Sequence, residues 1–289
     1  MSAPFAVVRP SVPDAVQLEG IRALITTVTA EEGREPLSDH ALAQLTSPSV
    51  SHALAERGRD IVGYAQLDGG SLEIAAVQEA IGSLLQAYRG RPALVWSHGE
   101  HSRLVPVLES HGFVRERELY QLRRPLPDPV ERPPLPSGIT LSTFVVGTDE
   151  DAWVRVNAAA FASHPEQGRW TRVDVEARER EPWFDPSGFL LAWRGSELVG
   201  FHWTKIHPYG AGEVYVIGVS PAAQGLGLGS VLLLHGLASL YDRGCREVLL
   251  YVDGSNTGAM RLYERYGFTR HDLDIQWRSA QSTGAVSNT

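Results

Sequence analysis

Short segments recur in the two halves of this chain, and this internal repeat constrains the fold more than any other feature. Ile61-Val-Gly-Tyr is similar to Leu198-Val-Gly-Phe, and Ala93-Leu-Val-Trp-Ser-His-Gly is similar to Val248-Leu-Leu-Tyr-Val-Asp-Gly. Segments that recur in the same order predict two copies of one structural unit. The interval between the two segments is longer in the second half, so we expect an insertion there.

A proline-rich stretch separates the two halves. Prolines stand at positions 125, 127, 129, 133, 134 and 136. Proline interrupts helices and removes a hydrogen-bond donor from strands, so this stretch is expected to be an extended linker. The sequence therefore predicts an N-terminal domain at 1–124, a linker at 125–137 and a C-terminal domain at 138–289, with a disordered tail from about residue 279.

Composition excludes several classes of function. The 289 residues are 43% hydrophobic and carry a net charge of -8, which is typical of globular domains and argues against a nucleic-acid surface. We find no apolar run of membrane-spanning length and no basic segment followed by an apolar one at the N-terminus. The single Cys245 cannot form an internal disulfide. We expect a cytoplasmic monomer that binds neither nucleic acid nor membrane.

The insertion in the second half contains three glycines between an alternating strand at 213–219 and an apolar helix at 229–241. Gly225, Gly227 and Gly229 allow successive N–H groups to converge on a phosphate at the helix N-terminus. A dinucleotide loop would need a glycine where Leu232 stands, and a Walker loop would need a Lys-Ser/Thr pair. We expect a phosphorylated cofactor, and the alternative is a turn without a ligand.

Gln224, Gly227 and Gly229 form the pattern Gln-x-x-Gly-x-Gly, which resembles the pyrophosphate loop of the GNAT N-acetyltransferase superfamily. The resemblance implies acetyl-CoA as co-substrate. It also implies an α/β protein with two tandem GNAT-like domains, each a mixed, mostly antiparallel sheet flanked by helices. The first half has no such pattern in the stretch from Leu72 to Gly82. We therefore expect the N-terminal domain to lack a functional pyrophosphate loop and the chain to bind one acetyl-CoA.

Transfer of an acetyl group to an amine also needs a proton acceptor and a proton donor. Glu213, at the head of the strand before the loop, and Tyr263, on the short helix after Asn256, are our candidates. The alternatives are a strand-end charge and a core tyrosine. A bulge or splay at Gly218 would free the backbone N–H groups around Ile217 to Val219 for the thioester oxygen.

No metal site is expected. The histidine pairs His98/His101 and His202/His207 have no Cys, Asp or His partner at a recognised ligand spacing. Ordinary strand and loop histidines explain them.

Four segments of the second half resemble the mycothiol synthase family of tandem acetyltransferases. They begin at Asn157, Trp183, Gly200 and Gly212, and the clearest is Gly200-Phe-His-Trp-Thr-Lys-Ile-His-Pro. The resemblance is dense over 138–277 and thin over 1–124. It implies acetyl transfer to the cysteinyl amine of a cysteinyl-glucosaminyl-inositol, a small thiol precursor, giving mycothiol. The alternatives are another small amine as acceptor, or a non-catalytic acyl-CoA-binding protein.

The resemblance also implies site residues, position by position. The acetyl-CoA contacts would be Ile217, Gly218, Val219, Gln224, Gly225, Leu226, Gly227, Leu228, Gly229, Ser230, Asn256 and Arg261. The acceptor contacts would be Glu32, Glu166, Lys205, Glu213 and Tyr251, with Glu31 as an alternative to Glu32. Glu213 and Tyr263 would be the catalytic residues.

Overall fold

The structure is a computed structural model that describes residues 5–90, 94–162, 164 and 167–280. The chain divides into two compact units, and neither is one continuous segment. Unit 1 comprises the chain up to Tyr120, Asp253–Ser255 and the segment from Asp272; unit 2 comprises Gln121–Val252 and Asn256–His271. These units follow contacts within the chain, whereas the domain boundaries at 124 and 138 follow composition and stay a prediction. The part of the expected disordered tail beyond residue 280 lies outside the described residues.

The first part of the chain contains six strands and four helices among its described residues. They are β1 (Ala6–Val8), α1 (Ala15–Glu32), α2 (Asp39–Ala43), β2 (Ser51–Arg57), β3 (Asp60–Asp68), β4 (Ser71–Ala76), α3 (Gln78–Ala87), β5 (Leu94–Ser97), α4 (Leu104–Ser110) and β6 (Phe113–Pro125).

The second part repeats this succession, and some of its connections are longer. Its elements are β7 (Ile139–Thr143), α5 (Glu150–Ala160), α6 (Arg172–Glu179), β8 (Phe189–Arg194), β9 (Glu197–Ile206), β10 (Gly212–Val219), α7 (Leu228–Asp242), β11 (Glu247–Asp253), α8 (Thr257–Arg265) and β12 (Thr269–Ser279).

In unit 1 the strands have the order β1-β2-β3-β4-β5-β12-β6. β4 and β5 are parallel, whereas β1/β2, β2/β3, β3/β4 and β5/β12 are antiparallel. Helices α3 and α4 pack on one face of this sheet through Ile81, Leu84 and Leu108. Helix α1 packs on the other face, where Ile21 and Val28 lie within the second core cluster.

In unit 2 the order is β6-β11-β10-β9-β8-β7. β10 and β11 are parallel, and β10/β9, β9/β8 and β8/β7 are antiparallel. One face carries an aromatic core beside α5 and α6 that includes Trp153, Phe189 and Trp203. The other face packs against α7 through Leu228 and Leu232. The mixed, mostly antiparallel sheets flanked by helices confirm the predicted fold class.

Local sequence explains the element boundaries near the candidate site. Gly227 has a φ of 73° and is the N-cap residue of α7. Gly267 has a φ of 83° and lies just past the end of α8. Both angles lie in the left-handed region that favours glycine. Asn256 caps the N-terminus of α8, because its side chain accepts a hydrogen bond from the Ala259 N–H at 3.1 Å.

Candidate functional site

The strand pairing in unit 2 opens beside β10. β10 pairs with β11 only at Gly212↔Val248 and Glu213↔Leu249, whereas its pairing with β9 continues to Val219. Beyond Glu213, the recorded partners of β10 therefore all lie on β9. Strands that part in this way leave backbone N–H groups on one side available to a ligand.

The bulge lies elsewhere than expected. The register between β10 and β9 shifts between Val214 and Val216, so the extra residue is near Tyr215 and not at Gly218. The other arrangement that we expected, strands that part along this end of β10, agrees with the end of the β10/β11 pairing at Glu213. Gly218 pairs regularly with Phe201. A Cβ at Gly218 would lie 2.8 Å from the Phe201 ring and 3.2 Å from the Ala160 side chain. Glycine is needed there for close packing of β10 against α5, not for a bulge.

The glycine loop connects β10 to α7. Its first part is tied to the sheet by a hydrogen bond from the Ser220 N–H to the Val199 carbonyl at 2.8 Å, and Pro221–Ala223 form a single 3-10 turn. Residues 224–227 are exposed. Helix α7 has no side-chain cap at its N-terminus. Its first N–H groups are therefore available to an anion, and the helix dipole favours negative charge there.

The three glycines of the loop have different requirements. Gly225 and Gly227 have φ values of 80° and 73°, so the turn itself favours glycine. Gly229 has no positive φ, and a Cβ there would meet only the Val219 side chain, at an ordinary contact distance of 3.8 Å. The packing of the chain does not explain a glycine at position 229. A ligand that approaches the backbone would explain it, and the loop therefore fits a pyrophosphate group.

Helix α8 carries two more of the predicted residues. Arg261 is exposed. Tyr263 is buried, with its ring centroid 5.7 Å from that of Phe268. Within the described part of the chain, the Tyr263 hydroxyl has no hydrogen-bond partner. Burial raises the pKa of Tyr263 above its usual value, so the phenol keeps its proton at neutral pH.

Glu213 lies where β10 and β11 part. Its side chain is buried, and its Oε2 atom is 2.8 Å from the Nε2 atom of His207. Among the described residues, this histidine is the only hydrogen-bond partner of the Glu213 carboxylate. The second carboxylate oxygen is available to a substrate, which is what a proton acceptor needs.

Lys205 lies directly opposite Glu213 in the β9/β10 pairing. Its Nζ atom is 5.2 Å from the centre of the Trp183 ring and 5.9 Å from that of Tyr215. Arg178 of α6 donates from Nε to the Tyr215 hydroxyl at 3.0 Å. One end of the β9/β10 hairpin is therefore surrounded by two cations, a carboxylate and aromatic rings. Such a surface can bind a polyhydroxyl molecule that carries an amine.

The remaining predicted acceptor contacts have different environments. Tyr251 of β11 is partly exposed, and its hydroxyl accepts a hydrogen bond from the Gln121 amide at 2.7 Å. Glu32 lies in unit 1, where its carboxylate is paired with Arg103. Its neighbour Glu31 contacts the same guanidinium at 2.7 Å. Glu166 lies outside the described residues. The binding roles of Glu31, Glu32 and Glu166 stay predictions.

Sequence reasoning missed the contacts that surround Glu213 and Lys205. We assigned His207 no role, and we gave Trp183 and Tyr215 no function of their own. The ring contacts and the His207–Glu213 hydrogen bond join residues of different elements, so local spacing gave no signal. The described residues contain no cluster of His, Cys, Asp and Glu that could hold a metal ion. No described helix is long and apolar enough to cross a membrane.

Comparisons with known proteins agree with this geometry. A model of the acetyltransferase (GNAT) family matches residues 154–268. The chain is 45% identical to a mycothiol acetyltransferase of Geodermatophilus obscurus, over 93% of this chain and 96% of that protein. It is 46% identical to a mycothiol acetyltransferase of Thermomonospora curvata, over 91% and 94% of the two chains.

Solved structures give the same fold. A GCN5-related N-acetyltransferase from Sphaerobacter thermophilus matches with a TM-score of 0.70 at 25% identity, over 94% of this chain and 95% of that chain. A tandem GNAT protein from the clavulanic acid biosynthesis pathway matches with a TM-score of 0.68 at 17% identity, over 94% and 97%. The latter likeness concerns the fold alone.

The opened strand pair, the glycine loop and the uncapped helix after it define an acetyltransferase of the GNAT class. The sequence identity to the two relatives, over almost the whole length of the chain, identifies one family within this class. The chain belongs to the mycothiol acetyltransferase family.

Proposed function

We propose that this enzyme transfers the acetyl group of acetyl-CoA to the cysteinyl amine of cysteinyl-glucosaminyl-inositol, forming mycothiol. The observation that supports the proposal most is the position of Glu213, a buried carboxylate at the point where β10 leaves β11 and runs on to the glycine loop. The relatives are named mycothiol acetyltransferases, and the acceptor is taken from the resemblance to that family. That the enzyme is cytoplasmic and monomeric stays a prediction.

The donor would lie along β10 and the loop after it. The N–H groups of residues 224–230 would bind the pyrophosphate of acetyl-CoA, with Arg261 and Asn256 of α8 as further contacts. The N–H groups of Ile217 to Val219 would hold the pantetheine arm and the thioester oxygen. This assignment is supported by the exposed loop, the uncapped helix and the glycine at position 229.

Glu213 would accept the proton of the acceptor ammonium, either directly or through water. The free amine nitrogen then forms a bond to the thioester carbon and releases a second proton to solvent, and the carbon–sulfur bond breaks. The Tyr263 hydroxyl would donate its proton to the departing thiolate and regain one from solvent. A phenol is protonated at neutral pH, which is the state that a proton donor needs, and burial makes Tyr263 a weaker acid than an exposed tyrosine because it raises the pKa.

The acceptor would be held beside the β9/β10 hairpin. Lys205 and the Tyr251 hydroxyl would bind sugar or inositol hydroxyls, and the Trp183 and Tyr215 rings would pack against apolar faces of the sugar. The geometry around Lys205 supports this assignment. Glu166 and Glu32 stay proposed contacts on the strength of the family resemblance.

Steady-state release of CoA tests the proposal. The purified enzyme would be supplied with acetyl-CoA and cysteinyl-glucosaminyl-inositol, with glucosaminyl-inositol, with simple amines, or with no acceptor. We expect kcat/KM for the first acceptor to exceed the others by about 100-fold or more, since the catalytic groups need a positioned amine. Preferred turnover of a different amine would contradict the acceptor assignment and leave the acetyl-CoA site standing.

A further inference from the structure

We propose that His207 is a positioning residue that orients the Glu213 carboxylate for proton transfer. The inference rests on the proposed role of Glu213 as proton acceptor. The histidine Nε2 atom lies 2.8 Å from Glu213 Oε2, and the side chains are 16% and 9% exposed. A hydrogen bond to a carboxylate in such a partly dry environment is stronger than one in water.

The β9/β10 turn fixes the position of His207. Its N–H donates to the Ala211 carbonyl at 2.9 Å, and its carbonyl accepts from the Gly210 N–H at 2.8 Å. Pro208 occupies the second position of this turn, and Gly210 has a φ of 87°. Proline and a left-handed glycine at these positions are typical of a tight hairpin connection. The backbone on both sides of the imidazole is therefore hydrogen-bonded.

The ring is restrained as well as the backbone. The imidazole stacks on Tyr209, with the ring centroids 5.0 Å apart and the planes inclined by 21°. The Tyr209 ring is largely exposed, so it covers the imidazole on the solvent side. A histidine held by a turn, a stacked ring and a carboxylate has few accessible rotamers. It can therefore hold the carboxylate in one orientation without moving itself.

This arrangement divides the work of the two carboxylate oxygens. Oε2 is engaged by His207, which leaves Oε1 for the acceptor amine or its bridging water. A carboxylate that rotated freely would spend part of its time turned away from the amine. Misplacement of a catalytic group by about 1 Å can reduce the rate by about 100-fold. The contribution of His207 should therefore appear in kcat and disappear when the carboxylate is absent.

The test compares four variants of the whole chain. H207A removes the imidazole, whereas H207Q keeps an N–H donor at a similar reach. E213Q removes the base, and H207A/E213Q combines the two losses. H271Q is the matched control, because His271 is an exposed histidine of unit 2 that forms no hydrogen bond or ion pair with the residues that the structure describes. Thermal unfolding and acetyl-CoA affinity would be measured on all variants to separate folding from catalysis.

We expect H207A to lower kcat about 10- to 100-fold with little change in acetyl-CoA affinity. H207Q should recover most of the rate, to within about threefold of the wild type, and H271Q should match the wild type. In the E213Q background, H207A should have little further effect, because the residue acts through the carboxylate.

Two results would overturn the inference while leaving the proposed base intact. One is unchanged kcat in H207A, and the other is an equal loss from H207A with and without Glu213. A fully active E213Q would instead refute the role of Glu213 itself. These outcomes distinguish failure of the positioning role from failure of the proposed function.

Discussion

The two units connect corresponding strands and helices in different ways. In unit 1, β4 ends at Ala76 and α3 begins at Gln78, so Val77 alone separates them. In unit 2, β10 ends at Val219 and α7 begins only at Leu228. Both strands pair in parallel with the next strand over a short stretch. The shared framework therefore differs between the units in this connection, and in unit 2 it carries the N–H groups that we propose bind the phosphates of acetyl-CoA.

The buried carboxylates of these two strands, Glu73 of β4 and Glu213 of β10, also differ in how many hydrogen bonds they accept. Glu73 of β4 accepts hydrogen bonds from the Ser38 N–H at 2.6 Å and the Ser38 hydroxyl at 2.7 Å, and it contacts His98 at 3.0 Å. Glu213 of β10 has His207 as its one partner among the described residues. A carboxylate with both oxygens engaged stabilises a fold, whereas one with a free oxygen is available for chemistry.

The partner of Glu73 is itself unusual. His98 lies between Glu73 and Asp274, at 3.0 Å and 3.4 Å, and Asp274 also pairs with Arg34 at 2.8 Å. Burial lowers the pKa of His98, but the hydrogen bonds and charges of Asp274 and Glu73 outweigh it and raise the value to about 9. Burial pushes the pKa of Glu73 upward, yet the His98 and Ser38 contacts leave it lowered. These buried charges of unit 1 therefore stabilise its fold.

The same substitution in the two units gives the sharpest test of this contrast. E213Q should reduce kcat by about 100- to 10,000-fold and leave acetyl-CoA affinity nearly unchanged, because it removes a proton acceptor. E73Q should leave kcat of the folded enzyme near the wild-type value and lower the free energy of unfolding by about 2–3 kcal/mol, because His98 loses a buried partner. CoA release and urea unfolding measure the two effects. A large loss of kcat in E73Q with stability preserved would contradict the division of roles.

Unit 1 should also respond to alkaline pH. The pKa of His98 is raised in the folded chain, from 6.5 to about 9, so the stability from its protonation is fully present below pH 6.5. It is lost as the pH rises through 9. Urea unfolding at pH 6 and pH 9.5 should show a wild-type loss of roughly 1–3 kcal/mol that H98Q lacks. An equal loss in H98Q would assign the effect to other groups, and exposed H271Q serves as control.

Local pattern predicted much of unit 2. The expected helix at 229–241 is Leu228–Asp242, and the expected strand at 213–219 is Gly212–Val219. Periodicity and glycine punctuation define such elements within a few residues. Long-range features could not be predicted from the sequence. The bulge near Tyr215 and the pairing of β12 with β5 depend on which residues meet after folding, and alternation along a strand does not specify its neighbour.

The same distinction between local and long-range features applies to the candidate site. The loop glycines were visible because their φ angles and spacing are local properties of the chain. The His207–Glu213 hydrogen bond joins two strands across a turn, and the contact of Lys205 with Trp183 joins a strand to a distant loop. Such contacts are set by register and packing, which one sequence does not reveal.

The loop comparison can be tested with a matched pair of glycines. G229A should weaken acetyl-CoA binding by about tenfold, because a Cβ would obstruct the approach of the pyrophosphate, while the stability stays equal or rises by up to about 1 kcal/mol. G82A in α3 has similar space, with its nearest atom at 3.6 Å, and should raise stability alone. Calorimetric titration measures affinity and the number of acetyl-CoA molecules per chain, which we expect to be one. Equal affinity in G229A would contradict the assignment of the loop.

The smallest expected effect concerns a pair of acids in unit 2, Glu150 and Glu179, beside which the guanidinium of Arg172 lies 3.5 Å from Glu150. Glu150 is fully buried, and burial and the nearby Glu150 raise the pKa of Glu179 from 4.5 to about 7. Oε2 of Glu150 and Oε1 of Glu179 have no donor among the described residues, which a shared proton explains.

The stabilising effect of this shared proton is present below pH 4.5 and is lost as the pH rises through 7, because the folded chain binds the proton more tightly than the unfolded chain does. E179Q replaces the proton by a permanent amide donor. We expect the variant to exceed the wild type in unfolding free energy by about 1 kcal/mol at pH 8 and to match it near pH 4. The exposed E197Q should show no such difference. A penalty for E179Q at pH 8 would show that the ionised Glu179 stabilises the folded chain, and it would contradict the shared proton.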